Sequence, residues 1–207
     1  MANVNAPFGF LEYYGGAGGA PTFSQSARRA AYNAAAIYFG DPVQQNGATG
    51  YIVQADPSDT QAIAGIFVGA QYLSVSQKRT VWSRYWPGTD SSTDVIVYVV
   101  DDPNARWLVM GNGTTFNISG TLSSYGTSPV GQYAQFAIGT GNTSTGASGA
   151  YLNALGTTVT YPFIVVDLIT FPPGANGADP ESEYNHVVVG FNNQIMRTNG
   201  AGPTGIS

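Results

Sequence analysis

The chain has 207 residues and a formal net charge of −5, seven Lys plus Arg against twelve Asp plus Glu. That length holds one well-formed core rather than two domains, and 43% apolar residues exclude wholesale disorder. Seven scattered basic residues argue against a nucleic-acid groove, no apolar run is long enough to span a bilayer, and zero cysteines remove disulfides and thiolate chemistry.

The unusual figure is the charged fraction, 9%, against roughly 25% in an ordinary soluble domain. Ser, Thr, Asn, Gln, Gly and Tyr keep such a surface wet instead. An uncharged polar surface is easier to desolvate, because an unpaired buried charge is far less favourable than a hydrogen-bonded amide or hydroxyl. This composition fits a molecule covered by partners, and equally a very stable secreted β domain. Residues 1–7 show neither a charged nor an apolar leader region, so the expectation is synthesis in a cytosol.

Residues 1–30 read as an N-terminal arm ahead of a single β domain, 31–207. Phe8, Phe10, Leu11, Tyr13 and Tyr14 precede a glycine-dense stretch, residues 15–21, that is too entropic for a strand or helix interior. A tether with large apolar residues near its tip suits docking on a neighbour; the alternative is a segment wrapped on its own domain. Under the first reading, deleting residues 1–24 leaves a folded domain. Residues 26–36, which include Arg28 and Arg29, have helix propensity, and Ile37 to Pro42 reads as a strand ending in a turn.

From Thr49 onward, β-branched and aromatic runs alternate with turn residues, which predicts an all-β domain, an antiparallel sandwich or barrel of jelly-roll type. Strands are expected at 51–54, 62–73, 80–86, 94–100, 106–110, 114–119, 132–138, 157–160, 163–171 and 186–191. Residues 95–100 are apolar on both faces, so both faces are covered or one is an interface. Residues 139–149 and 172–180 read as surface loops.

The search for chemistry yields little, and the expectation is a protein that is not an enzyme and carries no cofactor or metal. The lone histidine, His186, has no Gly-x-Ser-x-Gly elbow to serve and too few companions for zinc. Asp94, Asp101, Asp102 and Asp167 offer carboxylates for glycoside cleavage, but Asp101-Asp102-Pro103-Asn104 is first of all a turn sequence. Trp82 and Trp86 share a parity, hence a strand face. They read as core, as an interface anchor, or as a platform for sugar rings. Three glycosylation sequons (Asn112, Asn117, Asn142) carry no meaning without a secretory route.

Several phrases then coincide in order along the chain: Ala36-Ile37-Tyr38-Phe39-Gly40-Asp41-Pro42-Val43, Gly65-Ile66-Phe67-Val68-Gly69, Tyr85-Trp86-Pro87-Gly88 with Trp82, and Tyr98-Val99-Val100-Asp101-Asp102-Pro103-Asn104. Gln135-Phe136-Ala137-Ile138-Gly139-Thr140-Gly141-Asn142 and Tyr184-Asn185-His186-Val187-Val188-Val189 follow. Together, over residues 34–193, they resemble the head decoration, or capsid cement, proteins of tailed bacteriophages. The resemblance implies a structural virion protein on the head exterior. Its partners would be the major capsid protein and further copies of itself, as a dimer or trimer, with no nucleic acid and no membrane. Phe8, Phe10, Leu11, Tyr13, Tyr14, Arg28, Arg29, Trp82 and Trp86 are the interface candidates. The competing reading is a carbohydrate- or host-receptor-binding module on a virion.

Overall fold

The computed structural model describes residues 2–13, 23–58, 61–118 and 128–197. Fourteen strands and no helix occur among them, arranged as antiparallel sheets that do not close into a barrel. The expected all-β architecture is therefore present in its sandwich form.

The first sheet runs β1 (Leu11–Glu12), β10 (Arg106–Met110), β14 (His186–Phe191), β13 (Phe163–Leu168), β11 (Tyr133–Ala137), β12 (Tyr151–Gly156). The second runs β2 (Gln25–Ala30), β9 (Val95–Val100), β6 (Ile63–Ser74), β4 (Pro42–Gln45), β5 (Ile52–Gln54), with β7 (Arg79–Ser83) also on β6. A two-stranded ribbon, β3 (Ile37–Tyr38) with β8 (Tyr85–Trp86), completes the set.

The second sheet is the middle layer. One core lies between the two sheets, where Ile63, Ile66 and Val100 meet Trp107, Val109, Phe163, Val165, Val189 and Phe191. A second core lies on the opposite face of the same sheet: Val95, Val97 and Val99 of β9 join Ala64, Phe67, Ala70 and Tyr72 of β6. The ribbon caps that second core with Ile37 and Trp86. The doubly apolar pattern of residues 95–100 thus has a largely internal cause, because period-2 alternation sends its two sets of side chains into two different cores.

Several expectations are corrected. Residues 25–30 form β2, not a helix: Arg29 registers with Ile96 and Ala30 with Val95, and pairing along β9 overrides local alanine propensity. Thr114 to Ile118 is a turn that folds Phe116 inward, and 157–160 is a turn after β12; Ser119 lies outside the described residues. The end of the 139–149 loop is buried, since Ser148 hydrogen-bonds the buried Asp41 carboxylate. β1, β4 and β12 carry too little β-branched sequence to stand out.

The arm reading is also corrected over residues 2–13. Phe10 is 1% exposed and stacks on Phe163 at 4.5 Å. Its N–H donates to Gly40 O (2.9 Å), and the Gly9 N–H donates to Ala150 O (3.1 Å). Gly40 has φ +90°, and a Cβ there would lie 2.9 Å from Phe10 N, so a glycine admits the strand. Leu11 pairs with Leu108. The Asn3 amide donates to Asp179 O (3.0 Å) and Asn185 Oδ1 (2.8 Å). Phe10 is core and the segment is docked on the domain around it, so the domain does not begin at residue 31. Tyr14 and the glycine stretch lie outside the described residues.

Phe10→Ala should therefore lower the unfolding free energy by about 3–5 kcal/mol, as for other buried aromatics. Removing residues 1–24 should abolish the cooperative transition, since β1 and its core contacts go too. Urea unfolding curves for both variants check this.

Candidate functional site

The first sheet does not cover the whole inner face of the second. On that face, register places Arg29, Ile96, Gln71 and Trp82 in one row across β2, β9, β6 and β7. The row beneath it holds Ala27, Tyr98 and Gly69, and the row after that reaches Val100 and Ile66 in the buried core. The face therefore runs from dry core to open solvent along β9. Its outer part is a ledge.

Trp82 is the ledge's main feature, 66% exposed and stacked on Tyr98 with centroids 5.1 Å apart and planes at 14°. The Tyr98 hydroxyl donates to Gln71 Oε1 at 3.1 Å, which holds the ring flat on the sheet. Gly69 is the register partner of Tyr98, and without a side chain it leaves the floor of a cleft of about 330 Å³. Val68, Ser83, Arg84 and Gln25 complete the lining. Ile96 stands 41% exposed nearby, and Leu73 and Val75 are exposed farther along β6. A second hollow, of about 370 Å³, continues over Arg29, Asp94 and Ile96.

The predicted pairing of the two tryptophans does not hold. The strand breaks at Arg84, so the parity of Trp82 is not carried to β8. Trp86 is fully buried in the second core, edge-on to Tyr72 at 4.9 Å. Of the interface candidates, Trp82 and Arg29 lie on the ledge. Arg28 points to the other face and pairs with Asp101 at 3.2 Å. Phe10 and Trp86 are core. Phe8 is half-buried against His186, while Leu11 and Tyr13 are half-buried along β1. Sequence reading passed over Ile96, Tyr98, Gln71 and Arg84, and only the β6–β7–β9 register reveals that they adjoin Trp82.

The carboxylates are occupied separately. Asp94 accepts from the Tyr51 hydroxyl (2.6 Å) and faces Arg29 at 3.8 Å. Asp101 accepts from the Ser26 hydroxyl and Arg28. Asp102 accepts from Asn104 N (2.8 Å) in the expected turn. Asp94 and Asp101 stand at opposite ends of β9, roughly 23 Å of strand apart, well beyond the roughly 5–10 Å that glycoside cleavage requires. Asp41 is buried and accepts from Ser148 Oγ (2.5 Å), Gln54 Nε2 (2.7 Å) and Tyr38 N (2.8 Å). Burial pushes its carboxyl above the ordinary range despite these donors. It ties three connections together. No cluster of three or more His, Asp or Glu able to hold a metal occurs among the described residues.

The chain matches no family model, no curated protein and no solved structure.

His186 gives a pH test. Its ring lies edge-on to Phe8 at 4.9 Å, its Nε2 is buried without a partner, and burial holds its pKa below 6.5. The unfolded chain then takes up this proton first, so stability falls as pH drops below about 6.5. His186→Gln should flatten the decline between about pH 7 and 5. Urea midpoints of the two proteins across that range measure the difference.

Proposed function

We propose that this chain is a structural virion protein that binds the outer surface of a bacteriophage capsid shell and stabilises it. One observation carries the reading: both cores are filled from within the chain, yet large apolar side chains remain exposed at separate places. Trp82, Ile96, Leu73 and Val75 mark one such place, and Phe171 another. A surface this poor in ions and dotted with apolar anchors is adapted to protein contact, because little charge must be desolvated when it is covered. The ordered phrases shared with head decoration proteins point to the same role.

The physical mechanism is linkage. A protein that binds only the assembled shell stabilises that state by its binding free energy. Modest contacts, repeated around the particle, add up to resistance against internal pressure. Addition of the purified chain to phage heads that lack it should give co-sedimentation that saturates at a fixed ratio to capsid subunits. It should also raise the temperature at which the heads release DNA. Heads that neither retain the chain nor gain heat resistance would exclude the role.

A second reading draws on the open outer face of Trp82, which with Gln71, Gln25 and Arg84 forms a platform of the kind that stacks on sugar rings. Under it, glycan-array binding is present in the native chain and lost in Trp82→Ala.

A further inference from the structure

The apolar side chain with the highest fractional exposure among the large ones described lies in a loop off the other sheet. Phe171 is 78% exposed at the start of the β13–β14 connection, and the exposed Pro172 and Pro173 follow it. Two prolines restrict the tip, so little chain entropy is lost when it docks. Aromatic-lined grooves take such proline-bearing tips readily. The Trp82–Tyr98 cleft is an aromatic-lined groove, and Phe171 of its own chain remains outside it.

Charge sorts the two places in the same way. Five of the seven Lys and Arg (Arg28, Arg29, Lys78, Arg79 and Arg84) belong to β2 and the β6–β8 stretch. Asp94 offsets Arg29, and Ser74 and Ser76 hold Asp90. Arg79 registers with Ser74 and points to the opposite face, which leaves Arg84 exposed in the cleft lining and Lys78 exposed in the β6–β7 turn, with Arg84 lying over the Phe39 ring at 4.3 Å. The β13–β14 connection holds Asp179, Glu181 and Glu183 and no Lys or Arg, and the exposed Asp167 precedes it.

We infer that the Trp82–Tyr98 cleft is a socket for the Phe171-Pro172-Pro173 tip of a second copy of this chain. The apolar tip supplies the buried area, and the acidic connection facing Arg84 and Lys78 sets the orientation. Knob and socket are different surfaces, so the contact is heterologous: it closes into a ring or runs on as a filament. It does not rest on the shell-binding reading and is testable without any shell.

Sedimentation velocity of the purified full-length chain is the test. The native chain should associate, with affinity falling as salt rises from about 0.05 to 0.5 M. Trp82→Ala and Phe171→Ser should each weaken association by roughly tenfold or more. Both side chains are exposed, and unchanged urea midpoints would establish that the variants fold. An equimolar mixture of the two should form a heterodimer and nothing larger, since one partner keeps a knob and the other a socket. Arg84→Glu should weaken association, and adding Glu181→Lys should recover part of it. A native chain that stays monomeric at about 100 μM, a mixture that fails to pair, or an effect of Trp82→Ala with none of Phe171→Ser would each overturn the inference.

Discussion

The fold depends on one sheet being covered twice. The second sheet supplies Ile66 and Val100 to the core against the first sheet, and Phe67, Val95, Val97 and Val99 to the core beneath the ribbon. Burying a large aliphatic or aromatic side chain stabilises by about 1.5–3 kcal/mol relative to exposure. Where both faces are dry, along the middle of β6 and β9, a strand gathers that gain on both sides. It also demands close approach. Gly65 lies where an added Cβ would sit 2.3 Å from Val100 O, so no side chain fits between β6 and β9 there. The ion-poor composition follows in part from this architecture, because the doubly covered part of a middle layer has no solvent face to fill with charge.

Covering the sheet twice creates a problem at the margins, where loops must seal the gap between layers. Asp41 answers it at one end. Its carboxylate gathers the turn after β3, the β5 side chain Gln54 and the buried Ser148 into one hydrogen-bonded knot. Ser148 Oγ in turn accepts from Ala150 N at 2.8 Å. Gly9 and Phe10 thread past this knot through backbone bonds to Ala150 and Gly40. A buried carboxylate with several donors is tolerable where the same group without them would be strongly destabilising. The N-terminal segment is thereby locked into the joint, which is why its aromatic residues are structural.

What was legible in the sequence divides along physical lines. Strands with strong β-branched runs, such as Arg106–Met110 and His186–Phe191, could be read to the residue, because periodicity and propensity agree there. The helix expected over residues 26–36 gives way to β2 because an alanine-rich stretch has no local signal for pairing with a strand some seventy positions away. The doubly apolar β9 was recognised as needing two covers, but no local pattern says whether a cover comes from the same chain. Trp82 was found and Trp86 wrongly joined to it, since parity counts only while the strand is unbroken. The cleft beside Trp82 depends on Gly69 facing Tyr98 across β6 and β9, a register that no short-range pattern encodes.

The ledge exists because the two sheets are not equally long in the direction of β6. That twelve-residue strand runs past the first sheet, and its far half pairs with β7 and β9, with one further bridge from Ser74 to Ser91. Among the described residues nothing caps this half on the inner face, so Gln71, Leu73, Ile96 and Trp82 are left at the surface. A protein with ordinary charge density would place Lys or Glu along such a row, and this row does carry Arg29 at its β2 end, facing Asp94 at 3.8 Å. The rest of the row stays uncharged and flat, with Tyr98 and Gln71 spending their polar atoms on each other. Such a surface loses little hydration when covered, and the few charges gathered around it bias which surface covers it.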